Sequence, residues 1–139
     1  IDAMTSHLVR TPDRFDVVLS TNMYGDILSN LAAEFSGGLG LAGSLNRGDG
    51  IAVAQASHGS APDIEGKGIA NPVALMRSAA MLLAWRAEQD SNNAMAAAAE
   101  ALDNGLNALL QTPDACTTDL GGPLGTEAFG DALAERLRG

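Results

Sequence analysis

A glycine-rich segment at residues 58–72 constrains the fold of this chain more than any other feature. It reads HGSAPDIEGKGIANP and carries a histidine, a hydroxyl, two acids, an amide and three glycines, with too little apolar side chain to form part of a core. Because glycine lacks a Cβ atom and tolerates positive φ, such a segment lets the backbone approach a ligand closely. It follows a short apolar run and ends at Asn71-Pro72, and proline is favoured at the first position of a helix. The segment is therefore predicted to be a loop between a strand and a helix, with a composition that suits a nucleotide.

Apolar periodicity, interrupted by glycine and proline, predicts five helices along the chain. They cover residues 2–10, 22–35, 71–88, 92–110 and 126–137, with Asn22 as the N-cap of the second. Two short apolar runs, at residues 15–19 and 51–54, are predicted to be strands, the first of them buried. Residues 37–50 are glycine-rich and predicted to be an irregular crossover. Strands that alternate with helices favour an α/β fold.

The composition narrows the class of protein. With 46% hydrophobic and 18% charged residues, the chain is predicted to be globular. Its formal net charge of -9 would repel a phosphate backbone, so no nucleic-acid partner is expected. No apolar run reaches the ~20 residues that a membrane-spanning helix needs, and no membrane association is expected. Cys116 is the single cysteine, which indicates a reducing cytoplasm. Because the chain opens at Ile1 inside an amphipathic pattern, it is expected to be part of a longer protein.

Two oxygen-bearing side chains, Asp26 and Asn30, stand four residues apart and share one face of the second predicted helix. With a carboxylate from elsewhere, for which Asp2 is a candidate, they would suit Mg²⁺ or Mn²⁺. Spacing alone favours the simpler interpretation that Asp26 stabilises the first turn of its helix through the macrodipole. The loop at residues 58–72 matches neither GxGxxG nor GxxxxGK[ST], so by itself it is also compatible with a structural connector.

Five segments in order resemble the C-terminal part of the β-decarboxylating dehydrogenases, the isocitrate and 3-isopropylmalate dehydrogenase family. They are DAM at 2–4, NMYGDILS at 22–29, GGLG at 37–40, the loop at 58–72, and DLGGPLGT at 119–126. Their details lean towards 3-isopropylmalate dehydrogenase and its tartrate-type relatives. The resemblance implies an α/β, two-lobed open sheet with flanking helices, of which this chain is the C-terminal portion. Residues 1–36 would belong to the smaller, dimer-forming lobe, and residues 37–139 to the larger, cofactor-binding lobe.

The family oxidises a 2-hydroxy acid that carries a carboxylate on C3, passes hydride to a nicotinamide and releases CO₂. The implied activity is an NAD-dependent oxidative decarboxylation of 3-isopropylmalate, in leucine biosynthesis, or of tartrate, malate, isocitrate or homoisocitrate. The implied partners are this small-molecule substrate and a second copy of the chain, in a homodimer. No catalytic residue is expected within the chain, because the family's base lysine and its tyrosine lie upstream of Ile1. The fragment alone is expected to be inactive.

The resemblance also implies which residues hold the cofactors. The loop would hold the adenosine half of NAD, with Asn71 on the adenine edge and Asp63 accepting the ribose hydroxyls while repelling a 2′-phosphate. The implied cofactor-binding residues are His58, Gly59, Ser60, Ala61, Pro62, Asp63, Ile64 and Asn71. The implied ligands of Mg²⁺ or Mn²⁺ are Asp26, Asn30 and Asp2, the last being donated to the neighbouring subunit's site.

Two residues depart from the family's pattern. Asn30 stands where the family usually has a second helix aspartate, and Gln55 stands where a glutamate commonly precedes the His-Gly motif. An amide in place of a carboxylate removes a charge and should weaken cation affinity. These departures keep open a second hypothesis, a non-catalytic regulatory subunit of such a dehydrogenase. A stand-alone nucleotide-binding module is a third.

Overall fold

The structure, a computed structural model, describes all 139 residues and divides into two compact units, Ile1–Leu39 and Gly40–Gly139. Its helices are α1 (Asp2–Arg10), α2 (Asn22–Phe35), α3 (Val73–Asp90), α4 (Asn93–Leu110) and α5 (Thr126–Arg138), and its strands are β1 (Gly43–Gly48) and β2 (Ile51–Ala56). All five predicted helices are confirmed, and their ends lie within two residues of the predicted ones. None of them has the length and apolarity needed to cross a membrane.

The first unit consists of α1 and α2, which pack against each other, with Leu28 and Ala33 buried. Helix α2 begins at Asn22, the residue that was predicted to be its N-cap. Asn22 lies inside the helix, and Thr21 occupies the N-cap without a side-chain hydrogen bond. The helix ends where expected, because Gly37 and Gly38 turn the backbone with φ of 105° and 103°. That residues 1–36 belong to a smaller, dimer-forming lobe stays a prediction.

The predicted buried strand at residues 15–19 is wrong. The segment follows the 3-10 turn Pro12–Arg14 and forms no strand. Val17 is 83% exposed and Leu19 is 96% exposed. A strand forms only where a neighbour completes its backbone hydrogen bonds, and the one sheet in this chain contains only β1 and β2. The apolar pattern therefore identifies an extended segment but not a partner that would bury it.

The second unit begins with an antiparallel hairpin, in which β1 pairs with β2 from Gly43–Ala56 to Gly48–Ile51. The prediction that residues 37–50 are irregular is thus wrong for residues 43–48. The sequence GSLNRG contains none of the β-branched residues that favour a strand, so residue propensity does not predict it. The Asp49-Gly50 dipeptide that joins the two strands is a hairpin signal in the sequence, and Gly50 adopts a positive φ of 73° that glycine tolerates.

Ser78 attaches this hairpin to α3. The side chain is fully buried, and its hydroxyl accepts the N–H of Ser44 at 3.1 Å and lies 2.7 Å from the carbonyl oxygens of Gln55 and Ala74. Close packing depends on the absence of a side chain at Gly43, where a Cβ atom would lie 3.0 Å from the backbone nitrogen of Ser78. The hairpin is therefore fixed to α3 by one buried hydroxyl that bonds to both strands.

The core of the second unit lies between α3, α4 and α5. Its buried residues are Val73, Leu106, Leu109, Phe129 and Leu133. Helix α4 has Gly105 at its contact with α5, where an added Cβ atom would lie 3.0 Å from Cδ1 of Leu133. This glycine lowers the intrinsic stability of α4, but it allows α5 to approach closely.

Two helical glycines provide a matched test of this packing. We expect Gly130→Ala to raise the free energy of unfolding by about 0.5–1 kcal/mol, because alanine favours the helix and its Cβ would make an ordinary 3.8 Å contact with Met76. Gly105→Ala brings the same helix gain, but the buried Leu133 has to move, so we expect a net loss of stability. Urea denaturation of both variants measures the difference. Equal stabilisation by the two would contradict a close contact between α4 and α5.

Candidate functional site

A cavity of about 610 Å³ opens in the second unit, between the loop that follows β2 and the turn that precedes α5. Three segments line it. They are Gly40, residues of the loop from His58 to Asn71, and the pair Thr118 and Asp119. The volume lies within the range of roughly 300–1,000 Å³ that is typical of small-molecule sites.

The loop turns sharply along this wall. Ala61 has a left-handed backbone with φ 44°, directly before the 3-10 turn Pro62–Ile64. For a residue with a Cβ atom this conformation costs about 1–2 kcal/mol, and such strain concentrates at functional sites. The core and the anchoring contacts around the loop must therefore hold Ala61 in place.

The first residue of α5 anchors the far end of the loop. The backbone N–H of Thr126 donates to the carbonyl of Gly68 at 2.8 Å, and its hydroxyl donates to the carbonyl of Ala70. Glycine is required just before it, because a Cβ atom on Gly125 would lie 2.6 Å from the Gly68 carbonyl oxygen. The DLGGPLGT segment, which alone indicates only a turn and a helix cap, thus also supports the loop.

Asn71 is held at the cavity wall by both ends of its side-chain amide. Its Oδ1 accepts the N–H of Val73 at 2.9 Å, at the start of α3, and its Nδ2 donates to Oδ2 of Asp119 at 3.0 Å. Gly40 packs against the pair, since a Cβ atom there would lie 3.2 Å from Oδ2 of Asp119 and 3.4 Å from Nδ2 of Asn71. The amide therefore has a defined orientation, with its oxygen towards the helix.

The structure brings most of the predicted loop residues to the cavity. Those that line it are His58, Gly59, Ser60, Ala61, Ile64 and Asn71. Pro62 and Asp63 do not line it, and Asp63 is exposed in the 3-10 turn. That these eight residues bind a cofactor stays a prediction.

Sequence reasoning missed the wall residues outside the motif. Thr118 and Asp119 lie 47 and 48 positions after Asn71, and Gly40 comes from a segment before the loop. Within the loop itself, Glu65 lines the cavity although it was not among the predicted cofactor-binding residues. The glycine-rich turns at 37–40 and 119–126 were the only signal in the sequence for these segments. Their spacing along the chain does not predict that they meet at one cavity.

The charges on the wall are negative. Its ionisable residues are His58, Glu65 and Asp119, and neither a lysine nor an arginine lines the cavity. Carboxylates accept hydrogen bonds from hydroxyl and amino groups, whereas they repel a phosphate. The wall therefore suits the uncharged part of a nucleotide better than its phosphates.

The predicted metal ligands lie in the first unit. Asp26 and Asn30 are exposed on α2, and Asp2 is exposed at the start of α1. The three salt bridges of the chain, Arg47–Glu88, Arg77–Asp103 and Arg86–Asp90, leave both of these aspartates unpaired. Carboxylate and amide oxygens are suitable ligands for Mg²⁺ or Mn²⁺. No group of three or more His, Cys, Asp or Glu side chains is positioned to hold a metal ion. A complete metal site would therefore need oxygen ligands in addition to these side chains.

The chain is similar to known dehydrogenases over its whole length. The family described as isocitrate/isopropylmalate dehydrogenase matches residues 1–133. An isocitrate/homoisocitrate dehydrogenase of Thermus thermophilus is 48% identical over 138 residues, which are 99% of this chain and 39% of that protein. An NADP isocitrate dehydrogenase of Rickettsia typhi is 55% identical over 83 residues, 60% of this chain and 17% of that protein.

The fold agrees with these similarities. The crystal structure of isocitrate dehydrogenase from Methylococcus capsulatus superposes with a TM-score of 0.89 at 41% identity, covering 99% of this chain and 39% of that one. The resemblance inferred from the five segments and the predicted α/β fold class are both confirmed. The chain spans about two fifths of the length of these full-length relatives.

The contact between Gly125 and the loop can be tested by one added methyl group. Gly125 has φ −86° and ψ 178°, which alanine adopts without strain, so any cost of Gly125→Ala comes from displacing the Gly68 carbonyl. We expect the free energy of unfolding to fall by about 1–3 kcal/mol. The matched control is Gly59→Ala in the same loop, where an added Cβ meets no atom within 4 Å and the change should stay within about 0.5 kcal/mol. Similar values for the two variants in chemical denaturation would argue against the anchor.

Proposed function

The chain belongs to the isocitrate/isopropylmalate dehydrogenase family, and on that basis we propose that it is the adenosine-binding portion of an NAD-dependent β-decarboxylating dehydrogenase. The whole protein would oxidise a 2-hydroxy acid with a carboxylate on C3 and release CO₂. The substrate class includes 3-isopropylmalate, isocitrate, homoisocitrate, tartrate and malate. The observation that carries the proposal is the cavity whose wall is formed by the HGSAPDI loop and by Asn71.

The cavity supports binding of an adenosine group. Its backbone-rich wall contains Gly59, Gly66 and Gly68, so a planar ring can approach the main chain closely. Ile64 and Ile69 add apolar surface, and the amide of Asn71 adds polar recognition. Apolar lining with a few placed polar groups is typical of cofactor sites.

The negative wall favours NAD over NADP. A 2′-phosphate on the adenosine ribose would meet Glu65 and Asp119 on the wall without any lining lysine or arginine to neutralise it. Asp63, exposed in the adjacent 3-10 turn, adds a third carboxylate to this region of the loop. The similar Rickettsia protein is an NADP isocitrate dehydrogenase, and the choice between the two nucleotides is tested below at Asp63.

Asp26 and Asn30 of one subunit, together with Asp2 of another, would hold Mg²⁺ or Mn²⁺. When bound, the cation supplies Lewis-acid stabilisation of developing negative charge on the substrate oxygen. Exposed apolar residues on α2, Ile27 at 48% and Phe35 at 53%, support a homodimer through this helix. The base lysine and the arginines that grip the substrate would lie outside the 139 residues, whose single lysine, Lys67, belongs to the loop. A cytoplasmic location is part of the same proposal.

The proposal predicts metal-dependent turnover by the protein expressed at the full length of its gene. We expect reduction of NAD, followed at 340 nm, with at least one of the five hydroxy acids in the presence of Mn²⁺. A chelator should abolish the activity and added Mn²⁺ should restore it, because the cation stabilises the reacting oxygen.

No turnover with any of these acids would contradict the enzymatic proposal. Retained NAD binding in that case would support the regulatory subunit, for which the amide of Asn30 at a metal position is the motivating residue. Turnover that is unaffected by the chelator would contradict the metal assignment alone.

Replacing Asp63 tests the choice of nucleotide. We expect Asp63→Ala to lower the preference for NAD over NADP, measured as the ratio of kcat/KM, by roughly tenfold. The family resemblance assigns Asp63, which lies in the turn beside the lining residues Ala61 and Ile64, both to accept the ribose hydroxyls and to repel a 2′-phosphate. Asp49→Ala, in the exposed turn between β1 and β2, removes the same charge away from the cavity and should leave the ratio unchanged. An equal shift in both variants would point to net charge instead of a local contact.

A further inference from the structure

The hydrogen bond between Asn71 and Asp119 joins two segments that are 48 residues apart at the wall of the cavity. Each residue lines the cavity, and the bond has a normal length of 3.0 Å. Asp119 forms no salt bridge in the structure. Its carboxylate is thus directed to a neutral side-chain amide and not to a cation.

The remaining hydrogen-bonding capacity of Asn71 is set by its two partners. A side-chain amide has two N–H donors and two lone pairs on its oxygen. Val73 uses one lone pair and Asp119 uses one donor. One donor and one acceptor remain on the amide of Asn71. They complement the Watson–Crick edge of adenine, whose amino group donates and whose N1 accepts.

We propose that Asp119 is a positioning residue, which fixes the side-chain amide of Asn71 so that the cavity distinguishes adenine from bases with a reversed hydrogen-bonding edge. The inference rests on the proposed binding of an adenosine group at this site. If the amide rotated by half a turn, its nitrogen would face the N–H of Val73 and its oxygen would face the carboxylate of Asp119. Both contacts would then be repulsive, so the pair of partners selects one orientation.

The bond is not needed to hold the loop in place. Thr126 already anchors the loop through the carbonyls of Gly68 and Ala70, and neither contact involves Asp119. Asp119 is also exposed, and an exposed hydrogen bond contributes little to stability. Its removal should therefore leave the fold intact while releasing the orientation of Asn71.

Removal of the Asp119 carboxylate should have opposite effects on dinucleotide binding, depending on whether the carboxylate acts only through its charge or positions Asn71. A dinucleotide carries negative phosphates, so loss of a nearby negative charge alone should tighten binding. Loss of a positioning contact should weaken it. Asp119→Asn separates the two, because it removes the charge but keeps an oxygen that can accept from Nδ2 of Asn71.

The experiment measures dissociation constants by calorimetry in the protein expressed at the full length of its gene. The ligands are NAD, ADP-ribose, and the NAD analogue with hypoxanthine in place of adenine, whose edge carries an oxygen and a ring N–H. The variants are Asp119→Ala and Asp119→Asn. Asp114→Ala, an exposed acid outside the cavity, is the matched control for lost charge. Thermal melts establish that each variant is folded at the temperature of the titration.

We expect Asp119→Ala to bind NAD and ADP-ribose roughly tenfold more weakly and to lose most of the preference for adenine over hypoxanthine. Asp119→Asn should keep both its affinity for NAD and ADP-ribose and its preference for adenine over hypoxanthine within about threefold of the wild-type values. Asp114→Ala should match the wild type in both quantities. Equal or tighter binding by Asp119→Ala, or equal weakening by Asp119→Asn, would overturn the inference while leaving the proposed function in place. A wild-type protein that binds neither NAD nor ADP-ribose would instead refute the proposed function, and this inference with it.

Discussion

Burial of Phe129 against Val73 and Leu106 is the interaction on which the second unit depends. These three side chains are fully buried and come from α5, α3 and α4 in turn. Burying each contributes roughly 1.5–3 kcal/mol. Val73 lies two residues after Asn71, and Phe129 lies three residues after Thr126, so the same packing that forms the core fixes both sides of the cavity. The geometry of the site is thus a consequence of the core.

The sequence predicts the helices well because their signals are local. Apolar spacing, Pro72 and the glycines after Phe35 act within one or two turns, and all five helices are confirmed. The two errors in strand prediction have a different cause. Residues 15–19 have strand propensity without a partner, whereas residues 43–48 have a partner without the propensity. Pairing depends on the fold as a whole, so composition alone misjudged both segments.

The candidate site shows the same division between local and distant information. The loop at residues 58–72 could be recognised because its residues are contiguous. The partner of Asn71 could not, because Asp119 reaches it only through the fold of α3, α4 and α5. The family resemblance implies roles for Asp63 and Asn71, but only the folded structure shows that Glu65, Thr118 and Asp119 line the cavity.

The separation of 48 positions between Asn71 and Asp119 also has a consequence for the stability of the cavity. Bringing the loop against the turn before α5 closes a chain segment of 48 residues, and the core between α3, α4 and α5 offsets the entropic cost of that closure. The cavity therefore exists only in the state in which the three helices are assembled. A ligand held there binds only the assembled state, and its binding free energy is added to the stability of the helices themselves.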